Sequence, residues 1–158
     1  MGVISWNIDE LSKALKINIE EVQNYFTDGR KISFLLERRL AREIFKGKVS
    51  NSENESFDIF DSSGNKWEVR CISKNGVYFC PSYMVGSGRR FDEQGFLNKL
   101  NEIKGYVLAD IQCFPNIPFW IIPSEQIICW WEAGSLGKKS MISRKKASNL
   151  IENYIRNL

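Results

Sequence analysis

The sequence predicts an α/β chain in which helices flank a central mixed β-sheet, with a helical segment ahead of it. Three observations predict this. Apolar residues recur at helical spacing from Asp9 to Phe45. From Phe57 to Pro123 short strand-like runs take over, interrupted by one helical stretch, and helical spacing returns from Ser124 to the end. Apolar residues make up 43% of the 158, which is enough to fill the core of one domain and too much for a disordered chain.

Asp9 is the expected cap of a first helix, with Leu11, Ala14 and Leu15 on one face. Asn18 is expected to cap a second, where Ile19, Val22, Tyr25 and Phe26 repeat at helical spacing. The short turn between them resembles the first two helices of a helix-turn-helix unit. A plain helical hairpin that pads a core or a dimer interface has the same pattern. Residues 1–32 are read as this segment and residues 33–158 as the α/β domain. Ser33 is the expected cap of a third helix, in which Leu36, Leu40, Ile44 and Phe45 form a core stripe and Gly47 a stop. A polar loop follows over residues 48–56.

The stretch FDIFDSSGNKWEVR, Phe57 to Arg70, predicts a β-hairpin. Its SSGN centre is turn-forming, with Gly64 available for positive φ. In its second strand Trp67, Val69 and Cys71 alternate with Glu68 and Arg70. GVYFCPSYMV predicts a third strand interrupted at Pro81, and GSGRR a basic loop rich in glycine. FDEQGFLNKLNEIKG predicts a helix with Phe96, Leu97, Leu100 and Ile103 inside. YVLADIQ, a continuous apolar run, predicts a central strand, and FWIIP a fifth. Ser124 is expected to cap a short helix ending at Gly134. SLGKKSMI predicts a loop or short strand. Ser143 is expected to cap a last helix with Ala147, Leu150, Ile151, Tyr154 and Ile155 inward.

Lys and Arg total 22 against 19 Asp and Glu, a net charge of +3 that calls for no particular partner by itself. No apolar run reaches the roughly 18 residues of a membrane span, and the N-terminus does not read as a secretory signal. Cys71, Cys80, Cys113 and Cys129 form no C-x-x-C pair and read as free, buried thiols of a cytoplasmic protein. Histidine is absent. That removes Ser-His and Cys-His nucleophile systems and histidine-ligated metals. It leaves carboxylates, Lys, Arg, Tyr or an oxygen-ligated metal for any catalysis.

The hairpin concentrates the remaining chemistry. Glu68 and Arg70 share a strand face, and pairing of Asp58 near Glu68 would converge two carboxylates, which repel unless a cation joins them. Mg²⁺, with Mn²⁺ as substitute, suits a few carboxylate oxygens together with water and phosphate. Arg70 is placed to hold an attacking water or to neutralise charge on a phosphoryl group. A solvated acidic surface with a Glu68–Arg70 pair is the structural alternative.

An aspartate, nine intervening residues, a glutamate and a basic residue two further on, on a hairpin before a strand-helix-strand unit, resembles the PD-(D/E)xK nuclease superfamily. The closest likeness is to its small type II restriction endonucleases. The motif covers Asp58 to Arg70, and the element order supports the likeness over roughly Ser33 to Pro123. The resemblance implies a restriction-endonuclease-like fold. It makes Asp58 and Glu68 the metal ligands, with Asp61 as a second candidate aspartate and Glu37, Glu43 or Glu55 as an accessory acid. Arg70 stands where the family usually has lysine, and arginine cannot serve as a base. Ser87, Arg89 and Arg90 of the glycine-rich loop, Lys138 and Lys139, and Arg144, Lys145 and Lys146 at a helix start are the expected contacts to DNA phosphates.

The function expected is a Mg²⁺-dependent endonuclease acting on double-stranded DNA as a homodimer, without a membrane. The alternative is a non-catalytic helix-turn-helix DNA-binding protein with an α/β dimerisation or sensing domain.

Overall fold

The computed structural model describes residues 1–50, 57–137 and 141–158. Among these, a mixed six-stranded sheet carries helices on both faces. Its strands are β1 (Gly2–Ser5), β2 (Lys48–Val49), β3 (Ile59–Phe60), β4 (Lys66–Ile72), β6 (Gly105–Asp110) and β7 (Asn116–Pro123), in the order β1-β7-β6-β4-β3-β2. β4 and β6 are parallel, and the other neighbours are antiparallel. A separate two-stranded sheet pairs β5 (Val77–Tyr78) with β8 (Met141–Ile142). The helices are α1 (Ile8–Leu15), α2 (Ile19–Phe26), α3 (Gly29–Arg39), α4 (Glu93–Glu102), α5 (Ser124–Glu132) and α6 (Arg144–Arg156). None among the described residues is long and apolar enough to cross a membrane.

Strand alternation sorts the core into two halves. Val69, Val107, Ala109 and Phe119 pack with Val22, Phe26, Ile32 and Leu36 of α2 and α3. On the opposite face Ile72, Tyr106, Leu108 and Ile122 pack with residues of α4, α5 and α6. β6 is buried along its whole length, as its continuous apolar run predicts. The N-terminal helices share a core with the sheet, and the boundary expected after residue 32 falls inside α3.

Several sequence expectations are corrected. β1 was not foreseen; it is a short edge strand on β7. Asn7, not Asp9, caps α1, accepting the Glu10 N–H. Asp28, not Ser33, caps α3, and Ser33 is an interior helical residue. Asn18 and Ser143 cap as expected, Asn18 with a full capping box from Glu21. Ser124 opens α5, but its hydroxyl donates to the Ile103 carbonyl. A π-helical turn at Leu40–Ile44 continues α3. It shifts the helical phase, so Leu40 and Phe45 are buried while Ile44 faces solvent. Leu15, Ile19 and Tyr25 of the expected apolar repeats, and Ile155, expected inward, are exposed. Only Val77 and Tyr78 of the expected third strand are extended in a sheet. Cys113 and Cys129 are exposed, whereas Cys80 is buried.

Two glycines are required where they stand. Gly64 turns the β3–β4 hairpin at φ 82°. A Cβ on Gly47 would lie 1.9 Å from the Phe60 carbonyl oxygen.

Candidate functional site

The β3–β4 hairpin sets the geometry. Ile59 pairs with Trp67, and the Asp58 N–H also donates to the Trp67 carbonyl. Two residues thus oppose one, the arrangement of a β-bulge, a device that re-aims a side chain and ends pairing. Beyond it the β4 backbone is met on that side by a side chain: Asp58 Oδ2 accepts the Val69 N–H at 2.7 Å.

Glu68 is 3% exposed and lies between two cations. Arg70 Nη2 stands 2.5 Å from Oε1, and Lys99 Nζ stands 2.6 Å from Oε2. The Lys99 contact is a buried ion pair. Lys99 is itself only 7% exposed, and burial pulls its pKa down. Arg70 Nη2 also donates to the Cys80 carbonyl, while its buried Nε has no hydrogen-bond partner. Below this group the Tyr106 hydroxyl donates to the Phe79 carbonyl.

Burial raises Asp58 to about 6, helped by the Glu68 charge. Burial likewise raises Glu37 to about 8, helped by Asp58. These are acids short of positive charge, whereas Glu68 already has two cations. Glu37, Asp58 and Arg70 line an open cleft of about 990 Å³ between α2–α3 and the β4–β5 connection. Arg30 and Lys74 lie on its exposed rim.

Compared with known proteins, the chain matches no family model, no curated protein and no solved structure.

The remaining expected site residues are distributed as follows. Asp61 does not join the acids. Its carboxylate organises the hairpin turn, accepting from Ser63 N–H, Asn65 N–H, Asn65 Nδ2 and Trp67 Nε1; burial pushes its pKa up, and these bonds together outweigh burial and hold it low. Glu43 pairs with Arg39 on the surface, which lowers its pKa. Glu55, Lys138 and Lys139 lie outside the described residues. Ser87, Arg89 and Arg90 are exposed, and Arg89 donates to the carbonyl of Ser82, a cleft residue. Arg144, expected to contact phosphate, forks onto Asp110 at 2.7–3.2 Å. Lys145 and Lys146 remain exposed.

Lys99 is the residue that sequence reasoning missed. It falls among Phe96, Leu100 and Ile103 on the inward face of α4. A lysine on the apolar stripe of a helix was the available signal.

Among the described residues no three Asp, Glu or Cys side chains stand together as a ready metal cage. Mg²⁺ does not require one, because it is commonly held by one or two carboxylates with water and substrate phosphate. Asp58 and Glu37 are hard oxygen donors lining one cleft, and neither is ion-paired among the described residues, so the donor set fits such an ion. Each Glu68 oxygen already meets a cation, Oε1 with Arg70 and Oε2 with Lys99.

Proposed function

We propose that the protein is a metal-dependent endonuclease that hydrolyses phosphodiester bonds in double-stranded DNA. In this reading it is a type II restriction endonuclease, with a restriction-endonuclease-like sheet and a homodimeric active form. The observation that carries the reading is the convergence of Asp58, Glu68, Arg70 and Lys99 at the end of one hairpin, beside a cleft in which burial outweighs the nearby cations and keeps the Asp58 pKa raised.

Bound Mg²⁺, or Mn²⁺, would supply Lewis acidity at a phosphoryl oxygen and acidify a water. The chain's own residues would do the rest. Asp58, supported by Glu37, holds the cation. Lys99 holds Glu68 in place and delivers from α4 an amine beside the second acid, where the nuclease pattern has lysine on the strand and this chain has Arg70. Arg70 cannot act as a base, but its guanidinium suits a phosphate oxygen. Arg30, Lys74 and Arg89 attract the nucleic-acid backbone irrespective of sequence. Two such subunits related by a two-fold axis would match a symmetric site.

Incubation of plasmid and phage DNA with the purified protein tests this. Cutting is expected with Mg²⁺ or Mn²⁺ and not with EDTA. Asp58→Asn and Glu68→Gln should each slow it by roughly 100-fold or more, and Lys99→Met should act in the same direction. Undiminished cutting by the first two variants would refute the site assignment.

A second reading is favoured by one observation, the engagement of both Glu68 oxygens by cations. It is a non-catalytic DNA-binding protein, with α1 and α2 as its helix-turn-helix. It predicts salt-dependent duplex binding and no cutting under any metal condition.

A further inference from the structure

β5 and β8 pair as Val77↔Ile142 and Tyr78↔Met141. Strand alternation buries Val77 and Ile142 in the core and turns Tyr78 and Met141 the other way. Both outward residues line the cleft, and both are open to solvent, Tyr78 by 38% and Met141 by 36%. A tyrosine beside a methionine makes an apolar, polarizable wall suited to a planar ring. Much of the remaining lining is polar, including Asn24, Thr27, Ser33 and Ser73. Core packing does not call for an aromatic at position 78, since Val77 makes the inward contact.

The wall and the cationic rim suit different parts of one ligand. Tyr78 offers a surface for a ring, while Arg30 and Lys74 offer charge for phosphate. The volume of about 990 Å³ is that of a site for a small group. In a duplex the faces of each base are covered by its neighbours, so a base reaches an aromatic wall only when it leaves the stack. The geometry points to an unpaired nucleotide of a DNA strand as the occupant of this cleft, its base stacked on Tyr78 and its phosphates drawn to Arg30 and Lys74. This deepens the nuclease reading and rests on its assignment of DNA as partner.

The test is equilibrium binding in EDTA, where no cutting competes. Probes are a single-stranded oligonucleotide, the same sequence as a perfect duplex, and the duplex with one bulged 2-aminopurine. The single strand and the bulged duplex should bind more tightly than the perfect duplex, and the 2-aminopurine emission should be quenched. Tyr78→Ala should weaken binding of the two unpaired probes by roughly 5- to 150-fold and abolish the quenching. Tyr78→Phe should retain both and so controls for folding. Equal affinity for all three probes, no detectable binding, or unchanged binding by Tyr78→Ala would overturn the proposal. The two readings separate cleanly. Cutting of perfect duplex with Tyr78→Ala unimpaired in binding removes only the stacking site. Selective, Tyr78-dependent binding without cutting in Mg²⁺ removes only the nuclease.

Discussion

Glu37 owes its behaviour to burial without a matching cation. In the unfolded chain it ionises near 4.5, and in the fold it keeps its proton up to about 8. Between those values the folded state binds more protons, so Glu37's contribution to stability is greatest at low pH and is lost as pH rises through the window. Glu37→Gln preserves the shape and removes the titration. After allowance for solvent screening, it should be more stable than the parent by on the order of 1–3 kcal/mol at about pH 8.5, and nearly equal at about pH 5. Urea unfolding at the two pH values measures this; identical pH dependence in both proteins would show that another group is responsible. At this scale the sequence was informative where chemistry is local. Glu68 and Arg70 share a face because a strand has period two. The groups that face them, Glu37 on α3 and Lys99 on α4, lie roughly thirty residues away on either side, beyond the reach of any spacing rule.

In the β3–β4 hairpin an acid serves the turn itself. Asp61 accepts four hydrogen bonds within the turn, two from backbone N–H groups and two from side chains. Asp61→Ala should therefore lower stability by about 1–3 kcal/mol, read from the denaturation midpoint. Under the proposed nuclease function, the rate of DNA cutting well below the transition should stay unchanged. A selective loss of cutting with no loss of stability would return Asp61 to the metal site. Element types were legible from periodicity, because side-chain spacing reflects backbone geometry directly. Caps were less so. Around α1 and α3, Asn7 competes with Asp9 and Asp28 with Ser33, and all four are residues that cap well. The π turn at Leu40–Ile44 turned Ile44 outward because it breaks the regular period that the expected stripe assumed.

The whole molecule depends on both faces of its sheet. β1 closes the edge at β7, and Ile4, Val22 and Phe26 complete the core against Ile117 and Phe119. Deleting residues 1–28 would uncover that face and leave the β7 edge unpaired. The shortened chain is expected to lose its near-ultraviolet circular dichroism and to aggregate. A soluble, cooperatively unfolding fragment would show instead that the N-terminal segment is an independent unit. The sequence by itself determined the helical and strand segments, the mixed α/β class, the acidic hairpin and the exclusion of histidine chemistry. Each of these follows from composition or from spacing within one element. Tertiary structure alone decided strand order, the two-sided core and the identity of each charge's partner. It set Arg144 on Asp110 and kept Asp61 in its turn. It brought Lys99 to Glu68, and it turned Tyr78 toward the cleft that Glu37 and Asp58 floor. These contacts join residues far apart in the chain, and the packing of elements, not their local periodicity, determines which of them meet.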